Sequence, residues 1–445
     1  MFQKRKKFSY PRVLMLGFGL IILMGTLLLC LPISSKGGQW GNPVNCLFTA
    51  TSATCVTGLI AYDTFTHWSL FGQLTILTMI QIGGLGFMTF ISMFALFLKK
   101  KISLRERLLL MQSSGSMQLE GVQRLIRHIL LGTLLFEGVG AALLSIRFVP
   151  RYGLWEGIYN SIFHSVSAFC NAGFDLMGKE GAFSSLSTFS QDPLVLITIM
   201  ALIIIGGLGF IVWSDIRRHR LRLRHYSLHS KIVLSATAVL LLGGALFFYF
   251  SENECLAGMN TGTKLLNAAF QSVTLRTAGF NTIDQTKLSG AGSILSMIFM
   301  LIGGSPASTA GGVKTVTVAV VFVTAVAAIG NRREVELHKK RLSPTAIRQA
   351  FAVLIIYITV TLGAAMVLSF TEQEGLRTIF FEVTSAIGTV GVSMGLTASL
   401  STAGKLIITL LMFSGRIGGL SLAMAFSEER PDPPLQRPEE NILIG

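Results

Sequence analysis

The chain has 445 residues, 51% of them hydrophobic and 13% charged, with a mean hydropathy of +0.63. A soluble domain carries about 25% charged residues, so an ordinary soluble protein is excluded, and apolar runs of about 20 residues along the whole length predict a polytopic membrane protein. The net charge of +15 does not point to nucleic acid, because 26 of the 37 Lys and Arg cluster in five segments (1–12, 99–127, 217–231, 332–348 and 430–437) that alternate with apolar stretches.

That alternation is the positive-inside pattern. It places both termini in the cytoplasm, makes the number of crossings even and predicts eight spanning helices. Lys4-Arg5-Lys6-Lys7 followed by an apolar run over 13–31 has the layout of a signal peptide. The run is longer than a usual signal core and no small-residue cleavage site follows, so it is read as a first spanning helix. Cys30, Cys46, Cys55, Cys170 and Cys255 form no spacing framework and are expected as free thiols.

The first unit has a spanning helix near 13–31, a short re-entrant helix over 43–54 and a second spanning helix over 69–98 containing Ile82-Gly83-Gly84-Leu85-Gly86-Phe87. A dozen residues are too few to cross a core of about 30 Å. The second unit repeats this order near 125–147, 155–169 and 193–214, and Ile205-Gly206-Gly207-Leu208-Gly209-Phe210 nearly copies the earlier motif. Close approach of neighbouring helices is sufficient reason for both glycine clusters. The third unit has helices near 231–250, 262–275 and 291–330. Forty residues would make a helix of about 60 Å, twice the core thickness. Gly303-Gly304-Ser305-Pro306-Ala307-Ser308-Thr309-Ala310-Gly311-Gly312 therefore predicts a break, allowed at membrane depth only where it is buried in protein or lines water. The fourth unit has helices near 347–370, 376–387 and 403–426, with Arg416 in mid-span, where a charge needs a partner or water. The units fall at 1–98, 99–214, 215–330 and 331–426, and 427–445 is a polar cytoplasmic tail.

Each short helix runs into one signature: Phe48–Leu59, Phe163–Phe174, Phe270–Phe280 and Phe381–Val392. The signatures close on Gly58, Gly173, Gly279 and Gly391, spaced 115, 106 and 112 residues apart. A near-constant period with one shared motif means a fourfold chain. The fold class expected is an all-α polytopic membrane protein with four covalently linked helix–loop–helix units around one pseudo-fourfold pore. Four loops around an axis can offer rings of backbone carbonyls to a dehydrating cation, and a glycine in each supplies the backbone angles this needs. The candidate filter residues are Thr54, Cys55, Val56, Thr57 and Gly58; Cys170, Asn171, Ala172 and Gly173; Arg276, Thr277, Ala278 and Gly279; and Gly388, Thr389, Val390 and Gly391. They are small and lack a carboxylate ring, which favours monovalent cations over calcium. Arg276 is the exception, and its side chain is expected to point back into the protein.

The motifs TCVTGL, CNAGF, RTAGF and GTVGV, the break at 303–312 and Gly415-Arg416-Ile417-Gly418 resemble those of the Trk/Ktr/HKT superfamily of potassium transporters, most closely the membrane-embedded B-type subunit of bacterial Ktr systems. The resemblance covers essentially the whole chain. It implies a K⁺ selectivity filter at the four loops. It also implies an intramembrane gate built from Gly303, Gly304, Ser305, Ala307, Ser308, Thr309, Gly311, Gly312, Lys314 and Arg416, with Arg416 contacting the loop. Lys314 is expected to face water below the loop. The resemblance further implies a homodimer in the bacterial cell membrane, docked on a cytoplasmic nucleotide-binding RCK ring. This chain binds no cofactor in that reading; K⁺ is cargo, Na⁺ an activator, and ATP or ADP binds the partner. Every loop departs from the TVGYG motif of potassium channels, keeping one glycine each, so selectivity is expected to be less strict.

Two alternatives remain. A Na⁺-coupled symporter would use the same pore, although the four units share one orientation and are not inverted repeats. An intramembrane enzyme would need Ser305 as nucleophile and His128 or His164 as base, and no spacing ties either histidine to Ser305.

Overall fold

The computed structural model describes residues 10–86, 122–220, 222–332 and 334–418, with Pro438 and Glu440. The expected helix beyond residue 86, the first cytoplasmic basic segment up to 121 and nearly all of the tail lie outside the described residues. Within them the chain is helical, apart from a two-stranded hairpin pairing Glu336–Leu337 with Lys340–Arg341. That hairpin lies in the basic segment at 332–348.

Four long apolar helices, Tyr10–Cys30, Val122–Tyr152, Leu228–Ser251 and Pro344–Thr371, form the outer scaffold. Four short helices, Pro43–Thr54, Leu154–Phe169, Thr261–Thr274 and Leu376–Gly388, lie inside it, within two residues of their expected bounds. Asn42 before Pro43, and Asn260, cap two of them with side-chain oxygens, as a helix start requires. Phe48, Phe163, Phe270 and Phe381, the first residue of each signature, are fully buried. All five cysteines are free.

The inner helices differ from expectation. Each starts on a capping side chain: Ser69, Asp192, Ser289 and Ser401. None continues as a straight span among the described residues. The first runs over Leu70–Leu85 and stops at Gly86 (φ 84°). The second, Pro193–Leu208, turns by 94° at Gly209 (φ 92°) into Phe210–His219. The fourth, Thr402–Ile417, stops at Gly418 (φ 91°). The third breaks, as expected, between Gly290–Leu301 and Thr315–Ile329. Among the described residues the inner helices thus end or turn at Gly86, Gly209 and Gly418, and the third is broken between Leu301 and Thr315. The glycine clusters serve two purposes where only packing was expected. The last glycine adopts a left-handed turn closed to most side chains. The first meets the end of a short helix: a Cβ on Gly83 would sit 1.9 Å from the Thr54 carbonyl oxygen, on Gly206 2.0 Å from that of Phe169, and on Gly415 2.1 Å from that of Ile387.

Alanine at Gly83, Gly206 or Gly415 is therefore expected to lower stability by about 1–3 kcal/mol or more, because the obstacle is backbone and cannot rotate away. Thermal unfolding in detergent followed by size-exclusion fluorescence checks this, with Gly19→Ala, where nothing lies within 4 Å, as the neutral control.

A second repeated device ties each outer helix to its inner helix. Glu252 accepts from the Ser289 amide (2.9 Å) and hydroxyl (2.6 Å), and Glu372 from the Ser401 amide (3.2 Å) and hydroxyl (2.5 Å). In the first unit the Ser69 hydroxyl donates to the Ile33 carbonyl at 2.5 Å, and in the second Arg147 pairs with Asp192 at 3.0 Å. The glycine three residues after each serine leaves room there: a Cβ on Gly292 or Gly404 would lie 1.9 or 2.3 Å from the partner carboxylate, and one on Gly72 2.4 Å from the Ser34 carbonyl oxygen, which accepts from the Ser69 amide.

Candidate functional site

The four signature loops share one backbone course. The residue two before each glycine is left-handed: Val56 (φ 57°), Asn171 (φ 58°), Thr277 (φ 69°) and Thr389 (φ 51°). The glycines follow at φ 91°, 71°, 87° and 93°. A left-handed β-branched residue is strained by roughly 1–2 kcal/mol, and three of these four are β-branched. Such strain persists only where the surroundings over-determine it. Here each short helix holds its own loop. Thr57, Ala172 and Val390 donate to the Ser52, Ser167 and Ser385 carbonyls at 2.8 Å, and Ala278 to that of Thr274 at 2.9 Å. The hydroxyls of Ser52 and Ser385 accept from Gly58 and Gly391 (3.0 and 3.1 Å). Those of Ser167 and Thr274 donate to the Phe174 and Phe280 carbonyls, each at 2.7 Å.

The loops close a ring in chain order. A Cβ on Gly58 would lie 2.5 Å from the Ala172 carbonyl oxygen, on Gly173 2.7 Å from that of Ala278, on Gly279 2.6 Å from that of Val390, and on Gly391 2.1 Å from that of Thr57. All four glycines line one outward cavity of about 420 Å³, with Asp175, Asp284, Ser393 and Thr397 on its wall. Glu382 is fully buried behind that wall and accepts from the Ser393 hydroxyl at 2.7 Å and from the Thr397 hydroxyl. Thr54, Cys55, Cys170 and Gly388 end the short helices below the ring. Arg276 is buried and is not among the cavity's lining residues, and its Nε has no hydrogen-bond partner.

Beneath the ring lies the segment between the two halves of the third inner helix. Its ends are pinned together: Gly303 donates to the Val313 carbonyl at 2.9 Å and Val313 to that of Leu301 at 3.1 Å. On one side it holds the bent helix of the second unit. Ser305 donates to the Gly207 carbonyl at 3.0 Å, Thr309 to that of Gly206 at 3.3 Å, and Phe210 to that of Ala307 at 2.9 Å. On the other side Gly311 abuts Thr389 so closely that a Cβ would lie 2.0 Å from its Oγ1. The Thr309 hydroxyl reaches the Phe169 carbonyl at 3.2 Å, and Ser308 closes a turn onto the Ser305 carbonyl at 2.7 Å. Gly312, at φ 67°, lies against Gly303, and Gly304 packs on Ala310. The loop thus spans from the second unit to the fourth directly under the ring.

Arg416 fastens it. One guanidinium nitrogen donates to the Thr309 carbonyl; another donates to that of Gly83 and, at 3.3 Å, to that of Gly84. One side chain therefore joins the loop to the inner helices of units four and one. Lys314 adds a second cation at the loop. It is half-buried and donates back to the Ala310 (2.7 Å) and Gly311 (3.4 Å) carbonyls of the loop. Ser305 pairs with the Thr315 hydroxyl at 3.2 Å. His164 is fully buried, with its ring nitrogens on the Asn160 carbonyl (2.7 Å) and the Leu176 amide (3.4 Å). Neither takes part in a nucleophile–base pair. Sequence reasoning missed Glu137, a buried carboxyl on the second outer helix that accepts from Gln81 at 3.1 Å; a lone acidic residue in an apolar run was the available signal.

A family model described as a cation transport protein, TrkH, matches residues 31–437. The chain is 41% identical to the potassium/sodium uptake protein NtpJ of Enterococcus hirae, over 99% of this chain and 98% of that one. It is 39% identical to the Ktr system potassium uptake protein B of Bacillus subtilis, over 99% and 97%. Its fold matches the crystal structure of the potassium transporter TrkH from Vibrio parahaemolyticus with a TM-score of 0.76, at 14% identity, over 96% and 86% of the two chains. These are transporters, which removes the enzyme alternative. Four helix–loop–helix units around a pseudo-fourfold axis, and a match over nearly the whole length, lead to one assignment: the chain belongs to the TrkH family of cation transport proteins.

Proposed function

We propose that the chain is the pore-forming subunit of a K⁺ uptake system, built from units at 1–98, 99–214, 215–330 and 331–426. The observation that carries this reading is the closed ring of Gly58, Gly173, Gly279 and Gly391, each against the next loop's carbonyl, at the floor of one outward cavity. Carbonyls of Thr57, Ala172, Ala278 and Val390 replace the hydration shell of a weakly hydrated cation there. Residues 303–312 close the path below, and Arg416 holds them shut. The relatives named for Ktr systems and for potassium/sodium uptake support a Na⁺-activated assembly. Its parts are a homodimer in the bacterial cell membrane, with both termini inside, and a cytoplasmic RCK ring that carries the nucleotide.

Purified protein in liposomes is expected to take up ⁸⁶Rb⁺ down its gradient, with K⁺ competing strongly and Na⁺ weakly. Equal competition by Na⁺ contradicts the reading. A loop that seals the path also suits a Na⁺-coupled symporter; accumulation of ⁸⁶Rb⁺ against its own gradient, driven by Na⁺ alone, favours that second reading.

A further inference from the structure

Glu137 is 7% exposed and lies on the second outer helix at the level of the short helix's end. A carboxyl there is costly and needs a reason. Docking the two helices is not that reason. The Ser165 hydroxyl donates to the Glu137 main-chain carbonyl at 2.6 Å, and in unit three Ser272 makes the same bond to Leu241 at 2.9 Å, where the side chain is apolar. The carboxyl instead faces sideways across a unit boundary. Gln81, on the inner helix of unit one, donates to its two oxygens at 3.1 and 3.3 Å. The Cys170 thiol lies 3.7 Å from Gln81 Oε1 and 4.0 Å from Glu137 Oε1. Gly84, on the same inner helix, leaves so little room that a Cβ would be 2.5 Å from the sulfur. Cys170 is the residue immediately before left-handed Asn171 and three before Gly173.

We infer that Glu137 is a positioning residue for the ion filter: with Gln81 it braces Cys170 at the start of the second loop and so sets discrimination against Na⁺. The inference rests on the filter reading above. A loop free to shift lets the carbonyl ring contract around the smaller ion; one tied to two helices from two units resists that contraction. A purely structural polar pair would alter protein yield and leave the ion preference of the assembled protein unchanged.

The test is ⁸⁶Rb⁺ uptake by protein in liposomes over a range of Na⁺, read as the ratio of Na⁺ inhibition constant to Rb⁺ KM. Glu137→Ala, and Gln81→Met made from the other side of the boundary, are expected to lower that ratio about tenfold, the worth of one strong hydrogen bond to a buried carboxyl. Glu137→Gln, which can still accept from Gln81, is expected to recover most of it. Gly173→Ser serves as the control on the filter itself. If Gly173→Ser shifts the ratio while assembled Glu137→Ala or Gln81→Met keeps the wild-type value, the positioning role is overturned and the filter stands. If none of these changes shifts it, the filter assignment has failed first.

Discussion

Removal of residues 305–311 is expected to raise basal K⁺ flux about tenfold or more and to make flux independent of the cytoplasmic partner proposed above. Gly303 and Val313 meet at the base of the loop, the Gly303 amide 2.9 Å from the Val313 carbonyl, and the deletion removes the segment held between them. The closed loop is held by the bonds from Ser305, Thr309, Phe210 and Arg416. At about 0.5–1.5 kcal/mol net each, and more for the guanidinium, these amount to several kcal/mol. Moving a two-state equilibrium from about 1:99 to 99:1 requires roughly 5.5 kcal/mol of differential binding. A cytoplasmic partner can supply that. Arg416→Gln is expected to act in the same direction and less strongly, since an amide keeps one donor and loses the bridge between Thr309 and Gly83. Flux in proteoliposomes with and without the partner checks both variants, and an unchanged basal rate in a folded deletion places the barrier elsewhere.

The largest loss of ion preference is expected at Gly391. A Cβ there would stand 2.1 Å from the Thr57 carbonyl oxygen, against 2.5–2.7 Å for the corresponding contacts of the other three glycines. All four also sit at positive φ, where a side chain costs roughly 1–2 kcal/mol. Serine at Gly391 therefore displaces a ring carbonyl outright, and at Gly58, Gly173 or Gly279 it strains the loop with less displacement. The expected order of damage to K⁺ affinity and to Na⁺ exclusion is Gly391 first, the others after it. Uptake at low K⁺ with graded Na⁺ measures it. Equal, small effects at all four positions would contradict the ring geometry.

Much of this arrangement is legible in the sequence. The short helices stand out because each runs into a signature that opens on a buried phenylalanine and closes on a glycine at a nearly fixed period. The break at 303–312 stands out because four glycines and a proline cannot continue a helix. Other features are set by tertiary context. Val56, Thr277 and Thr389 adopt left-handed angles that their own preferences oppose; only the closed ring and the serine and threonine bonds beneath it enforce them. Gly86, Gly209 and Gly418 are each followed by further apolar residues, so hydropathy hides the turns there. The spacing Ser-x-x-Gly at 69–72, 289–292 and 401–404 was readable and was missed; it marks where an outer helix docks on an inner one. The bonds from Lys314 to the Ala310 and Gly311 carbonyls appear only once the loop is folded.

The central claim is that four backbone carbonyls, not side chains, form the ion site. Anomalous diffraction at the rubidium edge from crystals grown in RbCl tests it most directly. The account predicts a peak on the pseudo-fourfold axis between the carbonyls of Thr57, Ala172, Ala278 and Val390, lost in Gly391→Ser. Rubidium bound only elsewhere, for instance against Asp175 and Asp284 in the outer cavity, with none in the ring at saturating concentration, would contradict it.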